Sequence, residues 1–237
     1  MQSASSHGGA HLSYLGHASF KWVTPSGTRI VIDPYRNRSG RHWFDRRFPQ
    51  VEADLVLVTH THFDHDAIDR VTGHPEVLDT AGFKRGTDYL IQGLTGRHAR
   101  AEAYGKENRI LVIQVSGVRF CHWGDNGAQV PDDLSRTLGR IDVLMLPVDE
   151  SEHVLTLSEV AEVIERLSPR VIVPTHYLIP GLTSPQSTLE PIDGWLARQP
   201  RVRRISASGV TLAPHTLPQT QEVWIFEPYG FCQPISG

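Results

Sequence analysis

Cysteine is scarce in this chain: Cys121 and Cys232 are the only two in 237 residues. Two widely spaced thiols, neither in a Cys-x-x-Cys motif, do not make a disulfide framework; they fit free thiols in a reducing compartment. Long apolar runs are missing as well. No stretch approaches the roughly 18 apolar residues of a membrane span. An excess of one charge sign is missing too. Lys and Arg total 23 against 26 Asp and Glu, a formal net charge of −3, so no overall field pulls the chain onto nucleic acid or an anionic membrane. Met1–Ala10 is polar and rich in Gly and Ser, without the charged and apolar regions of a signal peptide. It reads as a flexible lead, and a cytoplasmic location is expected. Low-complexity segments and linkers are absent. At 39% hydrophobic and 21% charged residues the composition is globular rather than disordered, and the length suits a single domain over residues 1–237.

What the chain has in quantity is histidine, 13 residues, several in short clusters. Histidine is the commonest metal ligand, so position has to decide its meaning. Leu12–Leu15, Ser19–Val23 and Thr28–Ile32 read as strands, with Pro25-Ser26-Gly27 as a hairpin turn. Residues 34–50 read as a loop. Leu55–Val58 is a short apolar run, as in a strand buried on both faces. Arg109–Val115 and Val118–Trp123 flank Ser116-Gly117 as a second hairpin, and Asp142–Val148 reads as a buried strand. Thr156–Leu167 carries apolar residues at helical spacing, with Thr156 and Glu159 placed for a capping box. Val171–Pro174 follows as a strand. A helix near Ile192–Arg198 and strands near Val202–Ile205 and Val223–Phe226 complete a layered α/β pattern.

The apolar run at Leu55–Val58 delivers the chain into Thr59-His60-Thr61-His62-Phe63-Asp64-His65. Side chains at i and i+2 of an extended segment point the same way, so His60 and His62 can converge on one ion. Once the chain turns, Asp64 and His65 can face a second point. Imidazole and carboxylate suit zinc, manganese or iron.

This segment resembles the HxHxDH signature of the metallo-β-lactamase superfamily. Further steps fall in the order that family shows: Ile32-Asp33-Pro34, His98, Trp123-Gly124-Asp125 and Thr175-His176. Leu15-Gly16-His17-Ala18-Ser19-Phe20, Asp33-Pro34 and the stretch from Asn108 to Asp125 look like the branch that holds ascorbate-6-phosphate lactonase. The resemblance implies a four-layered αββα sandwich with two divalent ions at one end of the sheets. Zinc is expected, with manganese or iron as the alternatives. One ion would take His60, His62 and His98, the other Asp64, His65 and His176, with Asp125 bridging. Asp33 and His17 would support the ligands from behind, and His122 would lie in that supporting layer or in the core. The implied activity is hydrolysis of an ester, lactone or phosphoester bond by a metal-bridging hydroxide, with Asp64 as ligand and proton carrier. A nuclease or phosphodiesterase of the same superfamily, or a metal-binding protein without catalysis, are the competing readings.

For the substrate, the loop after Asp33 offers Arg36, Arg38 and Arg41, whose guanidinium forks suit phosphate and carboxylate; a solvated loop explains them equally well. Tyr177, beside His176, is a candidate pocket wall. A small-molecule substrate is expected, with no nucleic-acid or membrane partner, and homo-oligomerisation is left open.

Overall fold

The computed structural model describes residues 8–100, 107–129 and 136–229. Two mixed sheets dominate. The first runs β15-β1-β2-β3-β5-β7, built from β1 (Ala10–Gly16), β2 (Ser19–Val23), β3 (Arg29–Ile32), β5 (Leu55–Leu57), β7 (Glu76–Leu78) and β15 (Val210–Leu212). The second runs β14-β16-β13-β12-β11-β10-β9-β8. It contains β8 (Gly82–Arg85), β9 (Tyr89–Arg97), β10 (Glu107–Val115), β11 (Val118–His122), β12 (Val143–Pro147), β13 (Val171–Thr175), β14 (Val202–Ile205) and β16 (Glu222–Phe226). A short pair, β4 (Val51–Glu52) and β6 (Val71–Thr72), stands apart. Both expected hairpins are present, β2 with β3 and β10 with β11, and β1 also pairs antiparallel with β2.

The sheets meet through aromatic side chains. Phe20 on β2 sits edge-on to Phe226 on β16 with centroids 6.2 Å apart, and Trp22 on β2 meets Phe120 on β11 at 5.7 Å. These rings are fully buried or nearly so, and large aromatics carry much of a core's burial. Strands β12 and β13 are buried at every residue, as parallel central strands covered on both faces must be. The helix α1 (Leu157–Leu167) lies against β12 and buries Val160, Val163 and Leu167. Its capping box forms as expected: Thr156 Oγ1 accepts from Glu159 N at 3.2 Å, and Glu159 Oε2 accepts from Thr156 N at 2.8 Å. The short α2 (Asp193–Ala197) matches the second expected helix. No helix among the described residues is long and apolar enough to cross a membrane.

Two expectations need adjustment. Residues 1–7 of the expected lead lie outside the described residues, as does Cys232, but Ala10 is not part of any lead. It opens β1, is fully buried and pairs with Leu212. The region between residues 76 and 97, for which no strand was expected, supplies β7, β8 and β9.

Strand polarity sets the position of the chemistry. In the first sheet β1 and β3 are both antiparallel to β2, and β3 is parallel to β5, so all three end at the same edge. In the second sheet β9 and β11 flank β10 antiparallel, and β11, β12 and β13 run parallel. Their carboxyl ends also share an edge. The residues just past these seven strands are His17, Asp33, His60–His65, His98, Asp125, His153 and His176.

Candidate metal centre

The strand ends turn sharply to aim their side chains. His17, Asp33 and His176 adopt left-handed backbone conformations, with φ of 57°, 46° and 61°. Such conformations are strained for residues other than glycine and persist where surrounding structure fixes them. Here the fixing bonds are visible. His176 N–H donates to the His17 carbonyl at 3.1 Å, and Tyr14 Oη donates to that same carbonyl at 2.7 Å. Gly124, at φ 57°, leads into Asp125; a Cβ there would lie 2.8 Å from Asn108 Oδ1 and 2.9 Å from Thr59 Cβ. Only glycine lets the β11 exit pass this close to the exit of β5.

Asp33 organises the floor. It is fully buried and accepts Thr59 N–H at 2.8 Å, Thr59 Oγ1–H at 2.7 Å and His65 Nδ1–H at 2.9 Å. Thr59 Oγ1 in turn lies 3.0 Å from His60 Nδ1. Assigned from this network, Nδ1 of each ring carries a proton, and Nε2 of His60 and of His65 faces inward, where a cation would take the place of any proton on it.

Two groups result. His60, His62, His98 and Asp125 bring one ligand atom each within 4.8 Å of one another, and so do His17, Asp64, His65 and His176. Asp125 stands between them. Its Oδ2 is 3.7 Å from His60 Nε2, 3.5 Å from His98 Nε2 and 3.5 Å from His176 Nε2, while Oδ1 is 3.6 Å from His65 Nε2. Asp64 Oδ2 lies 3.2 Å from His17 Nε2, 3.5 Å from His176 Nε2 and 3.6 Å from His65 Nε2. Metal–nitrogen and metal–oxygen bonds of roughly 2.0–2.2 Å put neighbouring ligand atoms of a tetrahedral ion about 3.3–3.6 Å apart, so the spacing fits a cation.

The electrostatics agree. His65 Nε2 and Asp125 Oδ1 are buried without a hydrogen-bond partner, yet face each other. Burial works against charge on His65, but Asp125, Asp64 and Asp33 together outweigh it and raise its pKa to about 10. Burial also disfavours charge on Asp64 and Asp125. The surrounding imidazoles outweigh it and hold both carboxyls well below the usual range. Burial lowers His60 to about 3 and, with His176 adding to it, His17 to about 4, so both rings stay neutral. Three buried carboxylates around one imidazole form a concentration of negative charge that a divalent cation offsets.

His98 differs from the others. Its Nδ1 accepts Arg100 N–H at 3.0 Å, so its ring proton sits on Nε2, toward Asp125. Ligating through Nε2 requires that proton to move and the Arg100 contact to yield. His98 also sits at the end of β9, bridged to Asn126, rather than on a free loop.

Asp33 lies behind His65, and His17, expected to lie beside Asp33, contacts Asp64 at 3.2 Å. His122 belongs to the supporting layer: Nε2 donates to the Ala18 carbonyl at 2.7 Å and Nδ1 accepts Gly124 N–H at 3.2 Å. Trp123 is fully buried.

Above the floor opens a cavity of about 320 Å³. Arg38, Arg41, Trp43, Phe63 and His153 line it, together with His62, Asp64, His98, Asp125 and His176. Two expected substrate contacts are corrected. Arg36 does not line the cavity; its guanidinium is paired with Asp66, at 2.8 Å, and with Asp69. Tyr177 does not line it either. The inward turn at His176 sends the next side chain into the core, where burial pushes the phenol's pKa up. His153 was missed, because it follows β12 by six residues with no motif around it. Its ring stacks on His176 at 5.6 Å and meets Trp43 at 5.4 Å.

Comparison with known proteins shows the family. The family described as the beta-lactamase superfamily domain matches residues 11–176. A UPF0173 metal-dependent hydrolase of Koribacter versatilis is 31% identical over 214 residues, covering 77% of this chain and 91% of that protein. The chain belongs to the metallo-β-lactamase superfamily, in the UPF0173 family of metal-dependent hydrolases. A UPF0173 relative from Thermococcus onnurineus is 30% identical over 190 residues, 69% of this chain and 83% of that one. A crystal structure from Thermotoga maritima, assigned to the zinc-dependent hydrolases of the same superfamily, superposes with a TM-score of 0.71 at 27% identity. It covers 92% of this chain and 98% of the other. The expected metallo-β-lactamase fold is therefore found.

Proposed function

We propose that this metal-dependent hydrolase holds two divalent cations. His60, His62 and His98 take one, Asp64, His65 and His176 the other, and Asp125 contributes an oxygen to each. Zinc suits this nitrogen and oxygen set, with manganese and iron as alternatives. The observation that carries the reading is the position of Asp125, at 3.5–3.7 Å from ring nitrogens of both groups. When bound, such cations lower the pKa of water to about 7 and polarise the substrate oxygen. Asp64 holds its cation on the cavity wall, where it can also carry a proton to the leaving group. His17 fixes the Asp64 carboxylate from behind. The bond cleaved is an ester, lactone or phosphoester of a small molecule sized to the cavity. The resemblance around Leu15–Phe20 favours the lactone.

Metal analysis after loading tests this directly. Wild type should approach two ions per chain, and a firm value of one would overturn the dinuclear reading. Asp125→Asn keeps the shape and removes the charge. It should lose the second ion first and cut turnover by roughly two to three powers of ten, as for other single preorganised electrostatic groups. His98→Ala should lower metal affinity less than His60→Ala, because the His98 ring is poised as a donor; equal losses would show that the Arg100 contact does not persist. A screen of lactone, ester and phosphodiester substrates with the loaded protein identifies the bond.

A further inference from the structure

Residues 38–41 form a tight turn in which Arg38 and Arg41 exchange backbone hydrogen bonds, Arg38 N–H to the Arg41 carbonyl at 3.1 Å and Arg41 N–H to the Arg38 carbonyl at 2.9 Å. Gly40 supplies the positive φ of 75° that the turn needs, with nothing within 4 Å of where a Cβ would stand. The turn is anchored below. Asn37 Nδ2 donates to the Phe44 carbonyl at 2.7 Å and its Oδ1 accepts Phe44 N–H at 2.9 Å, while Ser184 N–H donates to the Trp43 carbonyl at 2.8 Å. Both guanidinium groups come to rest over one ring. Arg38 Cζ is 5.3 Å and Arg41 Cζ 5.9 Å from the centroid of Phe63, the residue between His62 and Asp64.

This arrangement differs from that of other arginines here. Arg29 pairs with Asp54 and Glu52, Arg36 with Asp66 and Asp69, and Arg140 with Asp142. Among the described residues Arg38 and Arg41 have no carboxylate partner, and both line the cavity from its exposed rim, above buried Asp64 and Asp125. Two forks side by side over one aromatic ring suit a planar or tetrahedral anion with several oxygens.

We propose that the Arg38–Arg41 turn is an anion clamp, and that the substrate is an ester or lactone carrying a dianionic group away from the bond that is cleaved. This rests on the hydrolase reading for the bond but not for the clamp. A phosphate monoester and a dicarboxylate share the chemistry, so both enter the test.

The binding arm uses calorimetry on the metal-loaded protein, titrated with glycerol phosphate and with succinate. Wild type should bind at least one of them on the order of tenfold more tightly than Arg38→Gln/Arg41→Gln, and the ligand that shows the difference names the anion. Arg38→Lys/Arg41→Lys keeps the charge but loses the forks and should fall between. Equal affinity in wild type and the Gln double variant, at equal metal content and melting temperature, overturns the clamp. The kinetic arm compares a neutral lactone with its phosphate-bearing or carboxylate-bearing analogue. The preference for the charged member should collapse in the Gln double variant through KM, while Arg36→Gln keeps it. An unchanged preference overturns the proposal. Absence of turnover on every substrate counts against the hydrolase reading and leaves the calorimetric result to decide the clamp.

Discussion

Asp33 joins a strained backbone, three hydrogen bonds and a metal-facing imidazole in one residue. Asn tolerates the left-handed conformation well, so Asp33→Asn isolates the chemistry from the backbone. The amide cannot satisfy all three donors. Asp33 Oδ2 accepts from both Thr59 Oγ1 and His65 Nδ1, at 2.7 and 2.9 Å, and an NH2 in that place sets donor against donors. An alternative flip puts the NH2 against Thr59 N–H, 2.8 Å from Oδ1. Either way a buried polar group loses its partner at a cost of about 1–3 kcal/mol. The His65 proton also loses its anchor on Nδ1, and losing such an outer partner typically weakens metal binding about 10–100-fold. Chelator competition and a thermal melt check both. A variant that melts lower but binds metal like wild type would show that Asp33 serves the fold alone. The Asp33 role was legible only through the family resemblance carried by Ile32-Asp33-Pro34. The sequence did not reveal that His17 meets Asp64, or that His153 joins the cavity, since both depend on which distant strand ends share an edge. Nor could it show that Arg36 is already paired, because Asp66 and Asp69 look like ordinary loop acids until the chain folds.

Helix α1 shows where sequence reading works on the scale of an element. Thr156 and Glu159 sit three residues apart ahead of an apolar stripe, and the capping box forms as that spacing requires. Thr156→Ala removes the side-chain acceptor for Glu159 N–H. It should cost about 1 kcal/mol and lower the melting temperature by roughly 2–4 °C for a protein of this size. Metal content should not change. A melt within error of wild type would mean that Glu152, whose Oε1 accepts Leu157 N–H at 2.9 Å, caps the helix sufficiently. The same local logic found the hairpins, the buried β5 and the parallel β12 and β13, because their apolar runs are short, continuous and bounded by turn residues. It failed over residues 76–97. Strand β8 is an edge strand with Phe83 73% exposed, and β9 carries Gly93 and Gly96 among polar residues, so neither shows the alternation of a half-buried strand. Pairing with β10 over nine residues, not local pattern, makes β9 a strand.

At the scale of the whole molecule, the candidate centre is assembled from both sheets. His17 and the His60–His65 turn leave the first sheet; His98, Asp125 and His176 leave the second. A cation held by Asp64, His65 and His176 would therefore tie one sheet to the other across the end of the sandwich. Because the unfolded chain does not hold these groups together, binding energy appears as folding energy. At a free metal concentration 100 times its Kd the gain is about 2.7 kcal/mol, which for a protein of this size raises the melting temperature by roughly 5–10 °C. Calorimetric melts with and without added zinc should show that rise, and hydrogen exchange should slow at the carboxyl ends of both sheets. His176→Ala removes the second sheet's own ligand at that ion and should reduce the rise markedly. The rival arrangement is a metal held only by the turn after β5, through His60, His62, Asp64 and His65. It would order that turn without clamping the sheets, so metal would be taken up with little change in melting temperature and with protection confined to residues 60–65. That outcome would require the second ion to be redrawn without Asp125 and His176.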